Sequence, residues 1–299
     1  MHYDIRLTLS YVYDAWAGGG RHQLRVLPPT IPGVQRVIAA ALSFTPQPRE
    51  RSDFTDFFGT RATAVTYREA HETLEVRMTA RVAVKRPEPG FDVSPGLPQL
   101  AGQVASVLSL GPEAPHHFLP ASDHAGIDPD ITAYASESLG HGSVRAIAGD
   151  FCRRIHRDFA YDGTATTVTT RARDAFGLRR GVCQDFSHVM IAGLRGLGIP
   201  AGYVSGFLRT IPPAGKERLE GADAMHAWVK VWCGRESGWI EFDPTNDMLA
   251  SNDHITVGYG RDYSDVAPIV GVLKTTGGQE AEQSVDVIPV DAKPVESAR

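Results

Sequence analysis

The sequence predicts an α+β chain: a β-rich N-terminal domain, then a core in which a helix beginning at a cysteine packs on an antiparallel sheet. Three observations predict it. Apolar residues alternate through most of the first domain, from Tyr3 to Val84. A three-and-four apolar spacing follows Cys183, as one face of a helix requires. Two further alternating runs, joined by a glycine-containing turn, then read as a hairpin.

The N-terminal domain takes residues 1–90. Tyr3, Ile5, Leu7, Leu9 and Tyr11 alternate with polar residues in a first, half-buried strand. Gly18, Gly19 and Gly20 predict a loop. Strand-like runs recur at Gln23–Leu27, Arg36–Phe44 and Ala62–Tyr67, and the longest runs from Thr73 to Val84. Residues 91–142, rich in Pro, Ala and Ser, read as a connector with short helices that packs across both domains. The core occupies residues 143–290. Its first helix, from about Ser143 to Arg157, buries Val144, Ile147, Ala148, Phe151, Cys152 and Ile155 in one stripe, so Cys152 reads as a core residue. The helix from Cys183 buries Phe186, Val189, Met190, Leu194 and Leu197 and stops at Gly198, because Pro200 cannot continue it. The hairpin strands are Met225–Cys233 and Trp239–Asp243, and Cys233 lies on the apolar side of the first. A last strand, Gln283–Pro289, closes the core, and the tail, residues 291–299, reads as disordered.

Cys183, His226 and Asp243 carry the chemistry. A thiol is a weak nucleophile until ionised, and both a helix N-terminus and a neighbouring imidazolium favour the thiolate. The unpaired N–H groups of a first helical turn also suit a developing oxyanion, with the Cys183 N–H as the one nameable donor. A hairpin turn centred near Gly234-Arg235 sets His226 directly opposite Asp243, close enough for the carboxylate to fix the ring. Trp228 shares the face of His226 and reads as either a wall of the acyl site or packing. Asp185 and His188 read as structural neighbours of the helix start, and Tyr161 reads as core packing, with a reach into the site from a preceding strand as the alternative. The charged, turn-rich stretch Pro212–Ala222 reads as a loop at the mouth of the site.

GVCQDFSH, DAMHAW and EFDPTN resemble, in order, the three catalytic blocks of the bacterial transglutaminase-like superfamily, and the resemblance covers Ser143 to Pro268. GRDYSDVAP, from Gly260 to Pro268, is similar to a further block of one bacterial branch. HYDIRLTLSYVY, HQLRVLPP and DFFGT resemble the β-rich domain that precedes the core in that branch. The resemblance implies a papain-like fold and gives Cys183, His226 and Asp243 the roles of nucleophile, base and orienting acid. Thr60 stands where the family commonly has Asn, a departure expected to touch only a turn.

Composition narrows the function. With 30 basic and 35 acidic residues the net charge is −5, and no basic tract is interleaved with aromatics, so a nucleic-acid partner is not expected. Three separated cysteines make no disulfide framework and fit a reducing, cytoplasmic setting. The first residues carry charges within an alternating run, unlike a signal peptide, and no stretch approaches the roughly 20 apolar residues of a membrane helix. His116-His117 is the only tight histidine pair and lacks a thiol pair, so no metal is expected, and acyl transfer at a thiol requires no cofactor. The expected activity is acyl transfer on the amide bonds of a peptide or protein through a thioester, resolved by water. Cross-linking of a glutamine side chain to an amine is the alternative with the same triad. A catalytically inert binding module and an arylamine-type acyltransferase complete the alternatives; the intact triad argues against the first, and the lack of a nucleotide-binding signature against the second.

Overall fold

A computed structural model of the chain describes residues 1–88, 90–210 and 223–290. The stretch Pro212–Ala222 and the tail from Asp291 therefore lie outside the described residues. The N-terminal strands are β1 (His2–Leu24), β2 (Gln35–Thr45), β3 (Glu50–Thr55), β4 (Arg61–Thr66) and β5 (His71–Val84). The connector holds α1 (Leu97–Ala105) and α2 (Pro129–Ser136). Next come α3 (Val144–Asp158), β6 (Ala160–Tyr161), α4 (Ala172–Leu178), β7 (Arg180–Gly181), α5 (Cys183–Gly196), β8 (Ala201–Leu208) and β9 (Ala224–Trp232). The rest are α6 (Gly234–Ser237), β10 (Trp239–Asp243), β11 (Met248–Leu249), β12 (His254–Gly260), α7 (Tyr263–Val266), β13 (Ile269–Lys274) and β14 (Gln279–Pro289).

β1 organises the N-terminal domain because both of its halves pair within one seven-stranded sheet. Its first half pairs with β5 on one side and β14 on the other. Its second half pairs with β4 and β13. The glycines expected to form a loop instead sit inside the strand, where the register against β13 shifts between Gly18 and Arg21. Gly19 takes φ 61°, which costs a residue without Cβ little, so the strand bends without breaking. The last strand, which the sequence groups with the core, belongs here: β14 runs along β1 from Tyr3↔Pro289 to Tyr13↔Gln279. Local pattern finds such a strand but cannot say which sheet takes it.

The second sheet has the order β11-β10-β9-β8-β12, and the helices pack on it. α3 starts at the Ser143 cap, whose hydroxyl accepts the Ala146 N–H. Its buried stripe and that of α5 share one core with Ala227, Val229 and Val231 of β9. Connector residues Leu100, Val104, Ile131, Tyr134 and Ala135 enter that same core. Cys152 and Cys233 are buried there, as the apolar stripes predict, and burial pushes the Cys233 thiol up to about 12. α5 ends at Gly196, and Gly198 takes the left-handed conformation (φ 77°) just before Pro200.

The two domains are joined by polar contacts as well as apolar ones. β12 is an edge strand of the core sheet, and the Gln35 side chain caps it. Its amide N–H donates to the Thr256 carbonyl (2.9 Å), and its oxygen accepts the Thr256 N–H (2.9 Å). Arg86, just past β5, pairs with Glu241 at 2.9 Å and donates to the Thr256 hydroxyl at 2.8 Å. Thr60, expected to touch only a turn, is buried, and its hydroxyl accepts the Tyr259 N–H at 3.3 Å across the domain boundary.

Gly206 of β8 faces His226 of β9 in the ladder. A Cβ there would collide with the Ile255 carbonyl and the Trp228 ring, and the carbonyl is backbone that cannot swing aside. Gly206→Ala should therefore cost about 1–3 kcal/mol, read as a lowered Tm in thermal melts, with the fold retained.

Candidate functional site

The first turn of α5 is built from its flanking residues. Gly181 precedes the helix, and a Cβ there would collide with the Asp185 carboxylate. That carboxylate accepts the Val182 N–H (2.8 Å) and the Thr166 hydroxyl (2.6 Å), tying the preceding loop to the helix start. Burial raises the Asp185 pKa, against the pull of those two hydrogen bonds. The next side chain after the thiol, Gln184, donates to the Val168 carbonyl at 3.0 Å. Cys183 is thus held partly accessible, while Asp185 and His188 are buried.

His226 comes from β9 and Asp243 from the end of β10, but not in the expected register. Trp239 pairs with Trp232 and Phe242 with Val229, so Asp243 extends the ladder opposite Trp228. His226 is the diagonal neighbour on the same face. The connection is a helical turn, α6, and not a tight turn at Gly234-Arg235, so the register slides along the strand without changing face. The diagonal is still within reach: His226 Nε2 lies 2.8 Å from Asp243 Oδ2. The ring stacks on Trp228 with centroids 6.0 Å apart at 27°.

Asp243 is fully buried, yet its oxygens are surrounded by donors. Oδ2 accepts from His226, from the Asn246 side chain (2.6 Å) and from His254 Nε2 (3.1 Å). Oδ1 accepts the backbone N–H groups of Thr245 (2.9 Å) and Asn246 (3.2 Å). Burial pushes the carboxyl upward, but the hydrogen bonds from His226 and His254 outweigh it and hold Asp243 well below the usual carboxylate range. For His226, burial lowers the pKa. The Cys183 charge, then the Asp243 hydrogen bond, then a hydrogen bond with Cys183 reverse this and carry it up to about 10. The ring thus has Nε2 on Asp243 and answers to both the carboxylate and the Cys183 thiol.

Sequence reasoning misses Asn246 and His254. The signal for Asn246 is the DPTN string itself, an Asp followed by turn residues that fold back on its carboxylate. His254 lies on a strand of no distinctive pattern, and only the tertiary fold brings it to Asp243. Of the two readings of Tyr161, core packing is overturned: it is 64% exposed on β6, beside Gly181. Its phenol pKa is raised by burial and then by the Cys183 charge. His188 is structural, as expected. Its Nε2 accepts the Tyr263 N–H, and burial pushes its pKa down to about 3.

His226, Asp243 and His254 are the one group among the described residues whose ligand atoms are spaced for a metal ion, within 4.8 Å of one another. The chemistry does not fit one. His254 Nδ1 accepts the Ser251 N–H (3.1 Å), so the ring proton is on Nε2, the atom a metal would need bare.

The sign of the pH dependence follows. A raised His226 pKa contributes stability that is complete below the unfolded value of about 6.5 and is lost as pH rises through about 10. Thermal melts between those pH values should show a falling Tm, with a shallower fall in His226→Gln. Asp243→Ala strands several buried donors and should cost about 3–5 kcal/mol, measured by denaturant unfolding.

A model of the bacterial transglutaminase-like N-terminal region matches residues 3–83, and a model of the transglutaminase-like superfamily matches residues 127–244. An uncharacterised protein of Mycobacterium tuberculosis (strain ATCC 25618 / H37Rv) is 36% identical over 271 residues, covering 86% of this chain and 83% of the relative. One of Mycobacterium leprae is 30% identical over 282 residues, 94% and 96% of the two chains. A solved structure from Cytophaga hutchinsonii, described as a "putative cysteine protease", superposes with a TM-score of 0.75 at 24% identity, covering 98% of this chain and 92% of that one. The chain belongs to the transglutaminase-like superfamily, a family of cysteine-dependent enzymes, and carries the bacterial N-terminal region ahead of its core.

Proposed function

We propose that this protein is a hydrolytic acyl-transfer enzyme that cleaves amide bonds of a peptide or protein substrate, with Cys183 as nucleophile, His226 as acid and base, and Asp243 as the group that orients His226. The observation that carries the reading is the His226 ring, hydrogen-bonded to the buried Asp243 carboxylate at 2.8 Å and raised in pKa by the charge of, and a hydrogen bond with, the partly exposed Cys183. An imidazolium beside the sulfur favours the thiolate, the attacking species. The sulfur adds to the amide carbonyl, and the N–H groups at the start of α5 face the oxyanion. The C–N bond breaks as His226 gives its proton to the leaving amine, leaving an acyl-thioester on Cys183. His226, now neutral, takes a proton from water as water adds to the thioester. The C–S bond then breaks, and thiolate and imidazolium are restored.

Water is the acceptor in this reading; a primary amine in its place would give cross-linking through the same triad. Tyr161 and Val168, both exposed beside the helix start, offer an apolar wall to the acyl group. The three free thiols support a reducing, cytoplasmic setting, and no helix among the described residues is long and apolar enough to cross a membrane.

The test is mass spectrometry of products from a mixed peptide library, run with and without an added primary amine. Free carboxylic acids should form in both, and Cys183→Ala should lower their rate by roughly three orders of magnitude or more. Amine adducts as the main product would replace hydrolysis by transfer. No product with either acceptor would overturn the enzyme reading.

A further inference from the structure

His254 is the buried titratable group of the site to which the proposed chemistry gives no task. It is fully buried at the start of β12, a different strand from those of His226 and Asp243. Its Nδ1 is occupied as an acceptor by the Ser251 N–H (3.1 Å). The remaining ring proton, on Nε2, points at Asp243 Oδ2 (3.1 Å), the same oxygen that holds His226 at 2.8 Å. The ring is wedged edge-on against Trp228, with centroids 5.2 Å apart at 80°, and lies 6.1 Å from the His226 ring. Arg86 fixes the strand from behind by donating to the His254 carbonyl at 3.3 Å. One carboxylate oxygen thus answers to two imidazoles, and the second of these is held in a single tautomer.

We propose that His254 is a positioning residue for the acyl-transfer reaction: its Nε2–H holds Asp243 Oδ2 in the orientation His226 requires and takes up part of the carboxylate's charge, so that His226 can release its proton. The inference rests on the reading of Cys183, His226 and Asp243 as a catalytic triad. A carboxylate shared between two donors attracts each less strongly than it would attract one alone. Without His254, Asp243 Oδ2 would keep only the Asn246 side chain beside His226 and would hold the His226 imidazolium harder. The other charged and titratable groups around the pair come from several elements. Cys183 faces His226 from α5, and Cys152 and Asp247 lie on the α3 side of Asp243. Glu241 is paired with Arg86, and Asp253 with Arg209. The Asn246 side chain also donates to Asp243 Oδ2 (2.6 Å), from the same turn as Asp243, whereas His254 reaches that oxygen from a separate strand and its donation can be altered without removing the triad.

The test compares two variants of the full chain. His254→Phe keeps a ring against Trp228 and removes the donor; His254→Gln keeps an N–H in nearly the place of Nε2. The His226 titration is followed by nitrogen-detected NMR of the ring, and amide turnover is measured alongside. In His254→Phe the His226 midpoint should rise by about half a pH unit or more, and kcat should fall roughly tenfold with little change in KM. His254→Gln should restore the midpoint and most of the turnover. An unchanged midpoint in the Phe variant overturns the proposal, and so does a Gln variant as impaired as Phe, since packing alone would then explain the ring. Should the Phe variant fail to fold, the wild-type spectrum decides. His254 must show a protonated Nε2 and a bare Nδ1, and the opposite pattern or a doubly protonated ring overturns the assignment. If the parent chain turns over no amide while the His226 midpoint still shifts, the failure belongs to the enzyme reading and not to His254.

Discussion

A carboxylate sealed from solvent is the constraint on which the rest of the site depends. Asp243 has no water to solvate its charge, so the protein supplies donors from the DPTN turn, from β9 and from β12. Each of those elements is fixed in turn by something else. β9 is sandwiched in the middle of the core sheet, and β12 is an edge whose open hydrogen-bonding groups are capped by Gln35 of the N-terminal domain. One donor to the carboxylate, His254, thus sits on a strand that the N-terminal domain braces.

This arrangement explains what the N-terminal domain contributes. It braces the far side of the core sheet through Gln35, Arg86 and Thr60, and Phe207, Ile255 and Val257 of that sheet are buried in the N-terminal core. Arg86 in particular bonds Glu241, Thr256 and the His254 carbonyl, so it links β10 to β12 beside the Asp243 network. A site whose geometry must hold within a fraction of an ångström is well served by such support on rigid strands.

The electrostatics run in one direction. Burial opposes the charges of His226 and Asp243, and those charges persist because each is paired: imidazole with thiol and carboxylate, carboxylate with backbone, amide and second imidazole. Deeper in α5, His188 meets the same burial without a comparable partner and is held neutral, its pKa pushed down to about 3. Two histidines close to one helix are thus pushed in opposite directions, His226 upward by its paired charges and His188 downward by burial.

Much of this was legible from residue order alone. The α5 helix and its start at Cys183 follow from apolar spacing and from Pro200, and the alternation of β9 and β10 puts His226 and Asp243 on one face whatever the register. Those are local properties, written in periods of two and of three to four residues. The slide of β10 along β9, the membership of β14 in the N-terminal sheet, the exposure of Tyr161 and the approach of His254 to Asp243 were decided by the tertiary structure. Each depends on which distant segment packs alongside, and a single chain's local pattern carries no record of that, because the free energy that selects one pairing over another arises only when both surfaces are buried together.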